Sequence, residues 1–152
     1  FVVDCPDARN IVLCENLNFL KTPRIARDNH IELWYVGGNN ISNIDYIPAH
    51  KLTLPLYYSC DWDYDGLKIY ERLQDRFARK SKSITLLYPS PILRKSVDSP
   101  EHNSRWKHDQ PFSGLIRSAY SQEAISLIQD LIAQDEWVEE ETCELIEMVK
   151  LT

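Results

Sequence analysis

Short apolar runs alternate with longer amphipathic stretches through the first ninety residues. Residues 11–15 (IVLCE) are an apolar run ending in a carboxylate, and 31–36 (IELWYV) a second, closed by Gly37-Gly38. Residues 54–60 (LPLYYSC) are a third, ending at Asp61-Trp62-Asp63, and 84–88 (ITLLY) a fourth, closed by Pro89. Runs this short and rich in β-branched or aromatic residues predict strands buried on both faces. The stretches between them have helical length. Residues 18–28 carry Phe19, Leu20 and Ile25 at roughly helical spacing, with Pro23 set to start or break a helix. Residues 40–50 are a short helical stretch ending near Pro48. Residues 65–80 give the strongest pattern, with Leu67, Ile69, Tyr70, Leu73 and Phe77 on one stripe and Lys68, Arg72, Arg76 and Arg79 on the other faces. The order βαβαβαβ predicts an α/β fold built on a four-stranded parallel sheet with right-handed crossovers and flanking helices.

The pattern then changes. From Ser90 to Gly114, Pro, Ser, Asn, His and charged residues predominate, so 90–118 is expected to be a long excursion with little regular structure. Two C-terminal helices are expected within 119–151. The first starts at Ser121 as its cap, with Ala124, Ile125, Leu127, Ile128, Leu131 and Ile132 inward. The second covers about 136–151, with Trp137, Val138, Leu145 and Met148 on its buried face. The whole of 1–152 reads as one domain with its core at about 10–90. The start at Phe1 instead of Met predicts a piece of a longer protein.

With 152 residues, 43% of them hydrophobic, the chain can bury a core without staples. The lack of a long apolar run predicts a soluble, cytoplasmic protein. Cys5, Cys14, Cys60 and Cys143 form no C-x-x-C pair and read as buried reduced thiols. The net charge of −6 argues against a broad basic face for nucleic acid, but it is unevenly distributed. Residues 68–95 hold eight basic side chains against Glu71 and Asp75, a local +6, while 121–152 carry a local −8.

Candidate chemistry lies at the predicted strand ends. Ligands of an open parallel sheet bind outside the carboxyl ends of its strands, where Glu15, Asp61 and Asp63 fall. Converging acids repel one another unless a cation offsets them, and carboxylate oxygens suit Mg²⁺ or Mn²⁺. Alternation puts Asp61 and Asp63 on one face and Trp62 on the other. Gly66 allows a tight turn into a helix whose free N–H groups favour a phosphate or carboxylate, and Asp65 is expected to be its N-cap. Asp61 to Gly66 also matches the opening of a calcium loop, but the twelfth position is Arg72 where an EF-hand needs Glu. Asn16 reads as a helix cap or a phosphate contact. His30, His50, His102 and His108 share no spacing and are not expected to be ligands, and nothing requires Trp106 or His108 to touch a partner.

At these residues the sequence resembles the Toprim domain of topoisomerases, primases and several nucleases. Glu15 in VLCEN, the glycine turn at Gly37-Gly38, and Asp61-x-Asp63 in CDWDYDG carry the resemblance. With W-V-E-E-E near the end, the chain is most similar to the Toprim part of the Wadjet anti-plasmid nuclease subunit (JetD type) and to the related A subunit of topoisomerase VI. The resemblance implies a Toprim-like, Rossmann-like fold. It implies Glu15 as general acid/base or metal ligand, Asp61 and Asp63 as Mg²⁺ (or Mn²⁺) ligands, and Glu139 or Glu141 as a further metal-linked carboxylate. Lys68 and Arg72, one turn apart beyond the D-x-D, could reach a DNA backbone.

The function so implied is Mg²⁺-dependent phosphodiester chemistry on DNA, an endonuclease domain in which two metals, or one metal with Glu15 moving a proton, activate water. DNA would be held mainly by an N-terminal region or partner subunits, with a homodimer left open. Topoisomerase VI-like strand cleavage is the close alternative, although its tyrosine belongs to a separate winged-helix domain. A non-catalytic Toprim-like interaction module is the other. A receiver fits poorly, because one acid ends the first strand and Pro89 stands where a Lys would close the fourth.

Overall fold

The computed structural model describes residues 1–37 and 41–152. Each of the four apolar runs supplies a strand: β2 (Asn10–Cys14), β3 (Ile31–Tyr35), β4 (Leu56–Ser59) and β5 (Thr85–Leu86). They join in the order β3-β2-β4-β5, all parallel. Ile11, Val12, Leu13 and Cys14 of the central strand are completely buried, which is why that run carries no alternation.

The sheet is not purely parallel as expected. A fifth strand, β1 (Val2–Val3), lies antiparallel on β3, with Val2 opposite Trp34 and Val3 opposite Leu33. Two residues are too few to show a period, and this edge is fixed by a buried charge. Glu32 accepts from the Cys5 backbone N (3.1 Å), Trp34 Nε1 (2.7 Å) and Lys51 Nζ (2.7 Å), so its carboxylate ties the N-terminal segment to the sheet.

The connections follow the sequence where helical pattern and length agree. After β2 a 3₁₀ turn (Asn18–Lys21) leads into α1 (Pro23–Asp28), with Pro23 at the helix start, where its missing N–H costs nothing. Between β3 and β4 two 3₁₀ turns, Ile41–Tyr46 and Ala49–Thr53, replace the expected helix, because Pro48 divides an already short stretch. Gly38 and Asn40, named in the sequence reading, lie outside the described residues. Between β4 and β5 runs α2 (Tyr64–Ala78), burying Leu67, Ile69, Tyr70, Leu73 and Phe77.

The largest departures lie beyond residue 90. The excursion contains β6 (Arg94–Ser96), and α3 (Gln122–Gln134) follows it, with Ser121 Oγ accepting from the Ala124 N–H (3.2 Å) as its cap. The single helix expected over 136–151 is replaced by β7 (Glu136–Val138), a 3₁₀ turn (Glu140–Thr142) and a short α4 (Leu145–Lys150). Asp135 ends α3 in the left-handed region (φ 55°), and the chain leaves it extended. β7 then pairs antiparallel with β6, and Val138 exchanges backbone hydrogen bonds with Trp62. This bridge fastens the C-terminal segment to the end of β4. All four cysteines are buried and unpaired, as expected. No helix among the described residues is long and apolar enough to cross a membrane.

Candidate functional site

The chain passes from β2 to β3 on one side and then crosses to β4 on the other, so strand order reverses between β2 and β4. In a parallel sheet this is where a crevice opens beyond the carboxyl ends. Glu15 directly follows β2, and Asp61 and Asp63 follow β4. Trp62, between the two aspartates, is buried edge-on against Tyr88 (centroids 5.6 Å apart), so its neighbours face the other way.

The structure brings Glu15, Asp61 and Asp63 together with a fourth acid. Glu15 Oε1 accepts from the Asp61 N–H (2.9 Å), and Asp61 Oδ1 accepts from the Glu140 N–H (2.8 Å) and Asn16 Nδ2 (3.3 Å). Glu140 Oε1 accepts from the Asn16 N–H (2.9 Å). Asn16 therefore neither caps a helix nor stands free for a phosphate; it bridges two carboxylates. Gly66 makes this closeness possible. A Cβ there would lie 2.1 Å from the Asp61 carbonyl oxygen and 3.0 Å from Glu15 Oε1.

The tail carboxylate in the cluster is Glu140, not Glu139 or Glu141. Glu140 is 1% exposed, whereas Glu139 is turned to Lys95 (3.0 Å) and Glu141 faces solvent. Both flanking residues still add negative potential at Asp61. The chain here is extended and then 3₁₀, so Val138 and Glu140 point inward while Glu139 points out. Reading the apolar pair Trp137-Val138 as a strand end would have selected Glu140.

Asp63, not Asp65, caps α2, its Oδ1 accepting from the Gly66 N–H (2.8 Å), and the Asp65 N–H donates to Ser104 Oγ (3.0 Å). The N–H groups expected to favour a phosphate are thus taken by Asp63 and by a serine of the excursion. Another excursion residue enters the site: His102 Nε2 lies 3.5 Å from Asp63 Oδ2, and its ring stacks on Trp137 at 3.7 Å.

The electrostatics match this crowding. Burial, reinforced by Asp61 and Asp63, pushes the Glu15 carboxyl up to about 9. Burial raises Glu140 to about 8 and Asp63 to about 7, in both cases with the Asp61 charge adding to it and with backbone hydrogen bonds working against it. Asp61 is also raised by burial, and the amide of Glu140 and the side chain of Asn16 oppose that shift. Glu140 Oε2 is buried without a hydrogen-bond partner. Fully ionised, such a cluster would carry more negative charge than its surroundings offset, and it holds protons near neutral pH instead.

Two properties bear on a metal. The donors are carboxylate oxygens and the uncompensated charge is negative, which fits a hard divalent cation in chemistry and in charge. Among the described residues, however, no three His, Cys, Asp or Glu side chains are arranged to hold one ion, and each cluster carboxylate already turns one oxygen to an amide.

The proposed DNA-contacting residues diverge. Lys68 Nζ is held by Glu71 (2.9 Å), whose other oxygen accepts from Tyr120 OH (2.7 Å) and the Ile116 N–H (3.0 Å). Lys68 therefore belongs to the scaffold that seats the excursion on α2. Arg72 is exposed. Of the eight basic residues in 68–95, Arg76 and Lys80 pair with Asp45, Arg79 with Asp75, Arg94 with Asp130 and Lys95 with Glu139. Among the described residues, Arg72 and Lys82 have no ion pair.

A cleft of about 450 Å³ between α1 and α4 is lined by Phe19, Ile25, Leu145 and Ile146 together with Lys21, Glu144 and Glu147, and none of the four cluster carboxylates lines it. The chemistry lies instead at the sheet's switch point. Comparison of the chain with protein-family models, curated proteins and solved structures gives no match, so the geometry of this carboxylate cluster is what a functional reading rests on.

Proposed function

We propose that this is a Toprim-type domain carrying out Mg²⁺- or Mn²⁺-dependent phosphodiester hydrolysis on DNA, as in a Wadjet-type endonuclease. One observation carries the reading: Glu15, Asp61, Asp63 and Glu140, from three separate segments, converge at the switch point of the parallel strands with their proton affinities raised. A divalent cation held by Asp61 and Asp63, with Glu15 and Glu140 beside them, would relieve that repulsion and supply Lewis-acid chemistry. Glu15, whose carboxyl is raised by burial and by the neighbouring Asp61 and Asp63 charges, would stand beside that cation, placed to give or take a proton at the reacting phosphate.

Hydrolysis is favoured over tyrosine-mediated strand transfer. Tyr58, whose hydroxyl is raised first by burial and then by Cys60 and the site carboxylates, is completely buried and has no access to a duplex. A non-catalytic module is the second reading. It is favoured by the use of every cluster carboxylate as an acceptor for backbone amides, a role that needs no metal.

Plasmid cleavage in Mg²⁺ or Mn²⁺ separates them. Asp61→Ala and Glu15→Ala are each expected to lower the rate by about a hundredfold or more. Cleavage unchanged in both variants would overturn the enzyme assignment. An inactive wild-type chain that also takes up no Mn²⁺ through these carboxylates would establish the inert module.

A further inference from the structure

We propose that the aromatic cleft beside the open edge of β5 is a docking site for an extended, basic peptide segment of a partner protein, which adds to β5 as a strand and lays an arginine or lysine side chain on the aromatic rings. The cleft lies on the Trp62 side of the chain leaving β4, away from Asp61 and Asp63, and its use does not depend on the metal-site reading.

β5 ends the sheet and, among the described residues, pairs only with β4. Leu87 donates to the Tyr58 carbonyl (2.9 Å), so Leu86, one position earlier in the pleat, turns its own N–H and C=O away from β4. Residues 84–88 (ITLLY) contain no charge and no proline, the devices that usually keep such an edge from pairing. A cleft of about 350 Å³ opens along this edge, and its walls include Leu86, Trp62, Tyr70, Tyr88, Tyr120 and Glu123. A strand added to an open edge gains main-chain hydrogen bonds, while a pocket beside it selects a side chain.

The pocket selects a cation. Its rings stand in two pairs, Trp62 with Tyr88 and Tyr70 with Tyr120 (centroids 5.5 Å apart). Tyr70 donates to the Ala119 carbonyl (3.3 Å) and Tyr120 to Glu71 Oε2 (2.7 Å), so both rings are fixed before anything binds. Aromatic faces attract a positive charge. The exposed Glu123 carboxylate adds to that attraction, and among the described residues it has no ion pair. Burial and the Glu123 charge raise the Tyr88 hydroxyl, and Arg94, which opposes them there, is itself held by Asp130 and Glu136. A nucleic-acid strand would bring its phosphates against the local −8 of residues 121–152. A second copy paired edge to edge about a two-fold axis would bring two Glu123 carboxylates together.

The test is titration of the chain with a short synthetic peptide of alternating threonine and valine carrying arginine at its centre, and with the same peptide carrying norleucine or glutamate there. Binding is read by anisotropy of the labelled peptides and by amide magnetic resonance of the chain. The arginine peptide is expected to bind roughly tenfold tighter than the norleucine peptide, with the glutamate peptide weakest and the Leu86 amide newly protected from hydrogen exchange. Glu123→Gln should weaken the arginine peptide about threefold and leave the norleucine peptide unchanged, a split that loss of folding would not give. Tyr88→Leu, which keeps an apolar side chain on Trp62, should weaken the arginine peptide about fivefold. The wild-type series needs no variant. No binding of the arginine peptide, equal binding of all three, or binding that leaves the Leu86 amide exchanging freely would each overturn the proposal. So would a single-stranded oligonucleotide that protects Leu86 where the arginine peptide does not, or a dimer in sedimentation that Leu86→Pro abolishes, by giving the edge to nucleic acid or to a second copy.

Discussion

At the scale of single residues, the site depends on a missing side chain and on a proton balance. Gly66 sits where any Cβ would press into the Asp61 carbonyl at 2.1 Å, and a backbone oxygen cannot swing aside as a side-chain tip can. Gly66→Ala is expected to destabilise the chain by about 1–3 kcal/mol in urea unfolding and to loosen the contact between Glu15 and Asp61. The proton balance gives an unusual pH dependence. Glu15, Asp63 and Glu140 bind protons up to about pH 9, 7 and 8 in the folded chain, against ordinary values of 4.5, 3.8 and 4.5. The folded state therefore holds more protons than the unfolded state across this window. Their contribution to stability is complete below the ordinary carboxylate range and is lost as pH rises through 7 to 9. Without divalent metal the melting temperature should fall between pH 6 and pH 9, by roughly 2–4 °C for each kcal/mol lost. Glu140→Gln keeps an acceptor for the Asn16 N–H and removes one of the charges, so its melting curve should be flatter over the same range. A wild-type melting temperature that rises from pH 6 to pH 9 would contradict the crowding of these four acids.

At the scale of elements, Asp63 has two opposed effects on α2. Its Oδ1 caps the helix at Gly66, while its charge adds to the repulsion in the cluster. Asn caps about as well as Asp, so at pH 8 without metal Asp63→Asn should be more stable than wild type, and Asp63→Ala less stable than Asp63→Asn by about 1 kcal/mol. Equal stability of the two variants in denaturant titration would show that the cap contributes nothing. The strands and α2 were legible in the sequence because each announces itself locally. A strand buried on both faces must be continuously apolar, and α2 must show its stripe. Glu15, Asp61 and Asp63 were legible for the same reason, since they close such runs. β6, β7 and the small bridge of Trp62 to Val138 were not, because Arg94–Ser96 is wholly exposed and polar and its pairing is set by a partner some forty residues away. Glu140 was hidden by the same error. A helix over 136–151 points Glu139 and Glu141 to opposite sides, and only an extended chain turns Glu140 inward. His102 left no local signal, since its position depends on Trp137 and Arg105.

At the scale of the whole molecule, the charge arithmetic changes meaning once partners are known. The net −6 and the local +6 over residues 68–95 suggested an acidic protein with one basic strip. In the fold, six of those eight basic side chains are held by acids, several from distant segments such as Asp45, Asp130 and Glu139. Exposed ion pairs add little stability, but a cation already neutralised releases fewer counterions when it meets a phosphate. Among the described residues this leaves Arg72 and Lys82 as the strip's cations without an ion pair, and so as its share of the DNA binding proposed above. With two phosphates neutralised, the logarithm of the binding constant should fall with the logarithm of salt concentration at a slope of about −2. Anisotropy of a labelled duplex between 25 and 200 mM salt, conditions spanning roughly the usual range for such titrations, would read that slope. Arg72→Ala with Lys82→Ala should make it shallower by about 2, and Lys68→Ala should leave it unchanged because Lys68 is engaged by Glu71. A wild-type slope steeper than about −6 would mean that the ion pairs open on DNA, and that the strip, not a separate DNA-holding region or subunit, provides the grip. A slope near −2 would instead require such a partner for any tight complex, since two contacts cannot hold an acidic domain on a polyanion at physiological salt.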